Sequence, residues 1–222
     1  MGDEYPDAEF IHGIDLSPIQ PHWVPPNVKF LVDDAEAEWL YAENSLDYVH
    51  IRHMSIAIKD WPRLLAQAYR ALKPGGWIEL QDMHFLTKSD DDTIPPDYQY
   101  DEFLRLLNQG LGKFGFDIHA LMNNPRWLAE AGFQGVEDRT VKVPIGTWPR
   151  DPTLKMVGLY NRTVTLGVLN ATKAPLTRGL GWTPEQVEVF MVGVRRDLMK
   201  TSIHSYFTLH LTYGQKPLEP KP

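Results

Sequence analysis

The sequence predicts an α/β fold, and three observations predict it. Short apolar runs separated by turn residues recur through the first third. A strongly marked helix stands between two of them, and the last apolar run alternates with a period of two. Strand, helix, strand in that order requires a parallel crossover, because parallel neighbours cannot be joined by a tight turn.

The elements follow in order. Phe10 to Ile14 is a strand candidate ended by Asp15, Ser17 and Pro18, and Val28 to Val32 is a second, after Pro25-Pro26-Asn27. Leu46 to Ile51 is a third and Gly76 to Gln81 a fourth. Between these two, Asp60 caps a helix with Pro62 in its first turn, and Trp61, Leu64, Leu65, Ala68 and Leu72 recur at helical spacing. Lys73-Pro74-Gly75-Gly76 is expected to stop that helix, with glycine at its end. Phe103, Leu106, Leu107, Leu111 and Phe114 form a second helical stripe. A short helix follows, with Asn124 as its cap, Pro125 at its first position and Gly132 past its end. Val136 to Ile145 alternates like a strand. Asp151-Pro152 opens a helix to about Asn170 that is apolar on more than one face, which predicts burial or the lining of a pocket. Thr183-Pro184-Glu185-Gln186 is a capping box, with Trp182 and Val187 as a staple, and Val187, Phe190, Met191, Val194 and Leu198 point inward behind it. Tyr206 to Tyr213 closes the pattern as a strand, expected to pair antiparallel with 136–145.

Composition narrows the chemistry. The chain has 222 residues, 43% hydrophobic, enough for one domain with a substantial core. Its 29 acidic residues against 22 basic give a formal charge of -7, so no basic stripe is on offer for nucleic-acid phosphates and a small-molecule substrate is expected. With no cysteine, disulfides, thiolate metal sites and cysteine nucleophiles are excluded. Met1-Gly2-Asp3-Glu4 is acidic where a signal peptide is basic. Pro6 stands where a myristoylation motif has Ser or Thr, and no apolar run reaches the roughly 20 residues of a membrane span. These features predict an intracellular protein, cytoplasmic or nuclear, with no membrane partner.

One stretch, Gly13-Ile14-Asp15-Leu16-Ser17-Pro18-Ile19-Gln20-Pro21, resembles the second-strand signature of class I S-adenosylmethionine-dependent methyltransferases of the fungal secondary-metabolism, LaeA-like type. Further segments match in order. They are Asn27-Val28-Lys29-Phe30 through Asp33-Asp34-Ala35-Glu36, Asp47-Tyr48-Val49-His50-Ile51-Arg52, Lys59-Asp60-Trp61-Pro62, and Leu72-Lys73-Pro74-Gly75-Gly76-Trp77-Ile78-Glu79. The match is dense over residues 1–82 and looser beyond. The resemblance implies a Rossmann-like sheet of seven strands with the last antiparallel, helices inserted before that strand, and S-adenosyl-L-methionine over the carboxyl ends of the first strands. Residues 1–82 would then form the cofactor half and 83–222 the substrate-side helices and terminal strand pair of a single domain.

By the same resemblance, Asp15 and its neighbour Leu16 stand where an acidic residue ending the second strand accepts the ribose hydroxyls. The plain alternative for Asp15 is a turn cap. Asp34 and Ala35 match the loop that recognises adenine, with Asp33 as the adjacent alternative and a solvated acidic loop as the plain reading. Arg52 and His53 border the methionine end, where Arg52 either pairs with the cofactor carboxylate or salt-bridges a structural acid. His84 is the one candidate general base, against the plainer reading of a surface histidine. His50 and His53 do not converge, and no metal site is expected. Asp90-Asp91-Asp92 reads as a solvated loop, and Trp148, Tyr160, Trp182 and Phe207 as an aromatic pocket lining or as core.

The family carries a Gly-x-Gly-x-Gly loop between a first strand and first helix. Here Met1-Gly2-Asp3-Glu4-Tyr5-Pro6 matches the end of that helix, and no Gly-x-Gly lies upstream of Asp15. The resemblance therefore implies a sheet missing its first strand, with a gap between the family's second and fourth strands. Three explanations stand: a sequence lacking its upstream part, a shortened protein that lost catalysis and kept a scaffold role, or direct re-pairing of the strands on either side of the gap with a weakened cofactor site. The activity implied is methyl transfer to a small metabolite, impaired if that loop is absent. The alternative is a non-catalytic regulatory or interaction protein of secondary metabolism.

Overall fold

The computed structural model describes residues 1–21 and 23–218. Among the described residues there are six strands and five α-helices. They are β1 (Ile11–Asp15), β2 (Val28–Val32), β3 (Leu46–Arg52), α1 (Trp61–Ala71), β4 (Leu72–Lys88), α2 (Gln99–Gly112), α3 (Asn124–Glu130), β5 (Gln134–Pro144), α4 (Pro152–Ala171), α5 (Pro184–Leu198) and β6 (Tyr206–Gln215). A 3-10 turn at Ala120–Asn123 precedes α3, and a π-helical turn at Pro175–Gly179 links α4 to α5.

The strands form two sheets. β1 and β2 pair in parallel by themselves, and the other four run in the order β3-β4-β6-β5. β3 and β4 are parallel, as the crossover through α1 requires, whereas β6 is antiparallel to both β4 and β5. The α/β class, with helices inserted before an antiparallel last strand, is therefore the observed architecture.

Alternation along β4 assigns two cores to the two faces of the larger sheet. Ile78 and Leu80 join Trp61, Leu64, Leu65, Ala68 and Leu128 in a cluster beneath α1 and α3. Met83 and Phe85, of opposite parity, pack with Phe207 against Tyr100, Phe103, Leu107, Met191 and Val194 of α2 and α5.

The helix boundaries show which local signals act. Asp60 caps α1 by accepting the Arg63 amide at 3.0 Å, and the capping box of α5 is complete, with the Thr183 and Gln186 side chains each accepting the other's backbone amide. Two expectations are corrected. α1 does not end on glycine: Leu72 turns straight into β4, and Gly75 (φ +82) lies within that strand, which reaches back to Leu72 rather than starting at Gly76. The helix-end carbonyls are instead met from elsewhere. Arg70 O and Ala71 O accept the Asn44 and Ser45 amides, and the Lys216 ammonium donates to Tyr69 O and Leu72 O at 2.7 Å each, a cation placed at the negative end of the helix dipole. Asn124 is the first helical residue of α3 rather than its cap, and its side chain makes no capping bond.

A third correction concerns α4. It packs through Gly158, where a Cβ would lie 1.9 Å from the carbonyl oxygen of Gly146, and through Leu169. The rest is not buried: Met156, Val157, Tyr160, Val164 and Val168 are all exposed. At 100° per residue these five share one side of the helix, and no charged residue lies among them.

Candidate cofactor and substrate site

The cofactor residues named from the sequence lie at strand ends. Asp15 is the last residue of β1 and exposed. Its Oδ1 accepts the Ser17 amide at 2.8 Å, so the turn-cap role is present, while Oδ2 makes no hydrogen bond among the described residues. Leu16 is 71% exposed.

The loop after β2 is built the same way. The Asp33 amide donates to Asp15 O at 3.1 Å, joining the two strand ends, and Asp33 Oδ1 accepts the Asp34 amide. Asp34 Oδ1 accepts the Glu36 amide at 2.9 Å. Glu36 then reaches the start of α1, its Oε1 accepting the Lys59 and Asp60 amides at 2.9 and 2.8 Å. A carboxylate there meets unpaired helix amides and the positive end of the dipole. Ala35 packs against the α1 core, and its carbonyl accepts Trp39 Nε1 at 2.9 Å.

Arg52 ends β3 and is exposed, with no ion-pair partner among the described residues, so a structural salt bridge is not what holds it. His53 follows at φ +55, a left-handed conformation, and its amide donates to Gln81 O at 2.9 Å.

Between these two groups the sheet is split. Re-pairing of the strands beside the gap does not occur: β1 pairs with β2 alone, and β3 with β4 alone. The bonds from Ile11 N to Asn27 O and from His53 N to Gln81 O fix which residues face outward. Because parallel ladders use alternate residues, His12 and Ile14 on β1, and Tyr48, His50 and Arg52 on β3, turn their backbone groups to open edges. Phe10, Ile14, Leu16 and Tyr48 are exposed around them. Shallow, open concavities along Pro96–Arg105 and at Gln134 with Gln215–Leu218 lie elsewhere.

On the α1 side of the larger sheet, a polar network replaces the apolar core toward the end of β4. His84 is buried, 6% exposed rather than on the surface, and its Nε2 meets His119 Nδ1 at 2.9 Å. His84 Nδ1 has no partner among the described residues. Burial, with His119 and His210 beside it, pushes the pKa of His84 down to about 4, so it is neutral at pH 7. His210 lies against Asp138 at 2.8 Å, and Asp138 also accepts from Thr212. Sequence reading missed this network because its cross-chain hydrogen bonds join residues 35, 72 and 74 positions apart, brought together by strand register and by the 3-10 turn after His119. Among the described residues no group of three or more His, Asp or Glu is arranged to hold a metal ion.

Two other expectations change. Asp90 and Asp91 are not merely solvated: Asp90 pairs with Lys142 and accepts the Tyr206 hydroxyl, and Asp91 pairs with His204 at 2.6 Å, which holds this loop to the β5–β6 end. The four aromatic residues form no single pocket. Phe207 is core, Tyr160 is 65% exposed, Trp182 packs on Phe190, and Trp148 stacks on His204.

Comparison with solved structures defines the class. The fold matches phosphoethanolamine N-methyltransferase 2 of Haemonchus contortus, solved with phosphomonomethylethanolamine and S-adenosylhomocysteine, at TM-score 0.52 and 19% identity over 97% of this chain and 46% of that one. It matches the YcgJ protein of Bacillus subtilis at TM-score 0.52 and 18% identity, over 94% of this chain and 83% of that one. This is the class I methyltransferase fold. A family model described as a methyltransferase domain matches residues 3–137. The chain is 42% identical over 218 residues to methyltransferase pytC of Aspergillus terreus, covering 98% of this chain and 67% of that protein. It is 36% identical to the secondary metabolism regulator LAE1 of Cochliobolus heterostrophus, over 98% of this chain and 72% of that protein. It is 30% identical to the protein-methionine methyltransferase laeA of Emericella nidulans, spanning 59% of its length. The chain belongs to the methyltransferase domain family, in its LaeA-like fungal branch.

Proposed function

We propose that the chain serves methyl transfer from S-adenosyl-L-methionine to a small metabolite, with the ends of β1, β2 and β3 holding the cofactor. The observation that carries this reading is the set of groups left open at those ends. Asp15 keeps one carboxylate oxygen free, and Arg52 keeps its guanidinium unpaired among the described residues. That donor set fits a ligand with sugar hydroxyls at one end and a carboxylate at the other. Asp15 would hold the ribose, Leu16 and Ala35 would flank the nucleoside, Asp34 would face the adenine amine, and Arg52 with His53 would border the amino-acid end. The cofactor supplies an electrophilic methyl on a sulfonium, and the protein's task is to align an acceptor in line with it while excluding water. His84 is given no part in proton removal, because it is buried and its basicity is low.

The slot between β1 and β3 is read here as the place of one more parallel strand, whose following turn would complete the wall at the amino-acid end. Calorimetry with S-adenosylhomocysteine tests the reading. Asp15→Ala is expected to weaken binding by roughly 1–3 kcal/mol through lost hydrogen bonds to a buried ligand. An unchanged Kd would remove the ribose assignment.

A second reading, a non-catalytic regulator with a protein partner, is favoured by the uncharged exposed side of α4 and by the relatives named as regulators. Absence of cofactor binding both in this chain and in one extended by a strand and glycine-rich turn would select it. Binding restored by the extension would select the enzyme.

A further inference from the structure

The turn that leaves β3 is held from across the sheet by one buried carboxylate. Asp82 lies on β4, next to Gln81, which pairs with Arg52 in the strand register. It is 4% exposed. Its Oδ2 accepts the Met54 and Ser55 amides at 2.9 and 2.8 Å, and its Oδ1 accepts the Ser55 hydroxyl at 2.9 Å and its neighbour's amide, Met83, at 3.2 Å. Three of these four bonds run to residues 27 or 28 positions away, all within one turn.

That turn needs holding. His53 enters it in the left-handed region, which a non-glycine residue adopts only when its surroundings over-determine it. Beyond it, the Ala57 and Ile58 amides both donate to Met54 O, and Ile58 is inserted into the α1 core. The segment is thus fixed at its far end by apolar packing and at its near end by Asp82. Arg52 and His53, the exposed pair, stand immediately before the fixed residues.

We infer that Asp82 is a positioning residue of the cofactor site: it does not touch the ligand, but sets the backbone of 53–55 so that Arg52 and His53 are presented at the end of β3. The inference rests on the reading of Arg52 and His53 given under the proposed function. Burial pushes the Asp82 pKa up, against the opposing pull of the Ser55 and Met54 bonds. A buried carboxylate with no ion-pair partner among the described residues is costly, and its retention here is explained by the amides and hydroxyl it satisfies.

The test uses the full chain and the near-isosteric Asp82→Asn, with Ser55→Ala as a milder variant that removes one bond only. Amide resonances and hydrogen exchange of Met54 and Ser55 report the turn, exchange in α1 reports global integrity, and calorimetry with S-adenosylhomocysteine reports the site. In Asp82→Asn the two amide protons should move upfield and exchange at least roughly tenfold faster, with α1 unchanged, and the ligand Kd should rise by about tenfold. Ser55→Ala should move each readout in the same direction and less. Unaltered exchange at 54–55 would overturn the clamp, and faster exchange with an unaltered Kd would overturn its service to the site. If neither the unsubstituted chain nor one extended by a strand and glycine-rich turn bound S-adenosylhomocysteine while exchange still rose, the clamp would stand, the cofactor reading would fall, and the positioning role would fall with it.

Discussion

The two ends of this fold are made of similar segments in dissimilar circumstances. β6 lies between β4 and β5, bonded on both sides along its length, with helices on each face. β1 and β2 are as apolar in sequence, yet they form an isolated parallel pair in which Phe30, Leu31 and Val32 stay exposed. The contrast teaches that strand propensity is local and burial is not. A parallel strand is stabilised when both edges and both faces are occupied, and β1 and β3 each lack one neighbour.

Substitutions can sharpen or break that contrast. The largest effect is expected at Leu65, fully buried on the inner face of α1, where Leu65→Ala should cost about 3 kcal/mol in urea unfolding. A cost below about 1 kcal/mol would mean that this core is no better packed than β1–β2. Acid should act next, through His84. Its folded-state pKa, about 4, lies below the ordinary 6.5, so the unfolded chain takes the proton first. The stabilisation is whole above pH 6.5 and is lost as pH falls through 4, by about 3 kcal/mol. Unfolding midpoints measured against pH should fall through that window in the natural chain and flatten in His84→Leu. Thr183→Ala, which removes one half of the α5 capping box, should cost about 1 kcal/mol. Phe30→Ala is the smallest, below about 0.5 kcal/mol, because the ring is already 41% exposed. If an added strand filled the slot, the same substitution should become several times more costly, and no increase would sink the slot as a strand site.

Much of this architecture was legible in the residues. Asp60 and Thr183 cap the helices they were expected to cap, and Asp151 caps the helix that Asp151-Pro152 was expected to open, because an N-cap bond joins residues three positions apart and needs nothing distant. The antiparallel pairing of β5 with β6 followed from matching alternation. What could not be read depended on partners far along the chain. Lys73-Pro74-Gly75-Gly76 suggested a glycine stop for α1, but Lys216 does that work from the last strand's far end. The apolar sides of α4 suggested burial, yet nothing among the described residues covers Met156, Tyr160 and Val164. At the site, the strand-end positions of Asp15, Asp34 and Arg52 were visible in sequence. Glu36 and Asp82, which tie their loops together, carry no local signature, since a carboxylate beside a strand end resembles any solvated acid until its distant amides are known.

The placement of Lys216 has a bearing on biosynthesis. Its ammonium closes the end of a helix made some 145 residues earlier, while β6 occupies an interior position of the larger sheet. A ribosome-bound chain holding everything up to α5 has β4 and β5 without the ribbon that joins them, and α1 with unmet carbonyls. Such a nascent chain holds two open sheet margins until β6 itself has been made, a delay that a domain assembled from sequential hairpins does not face.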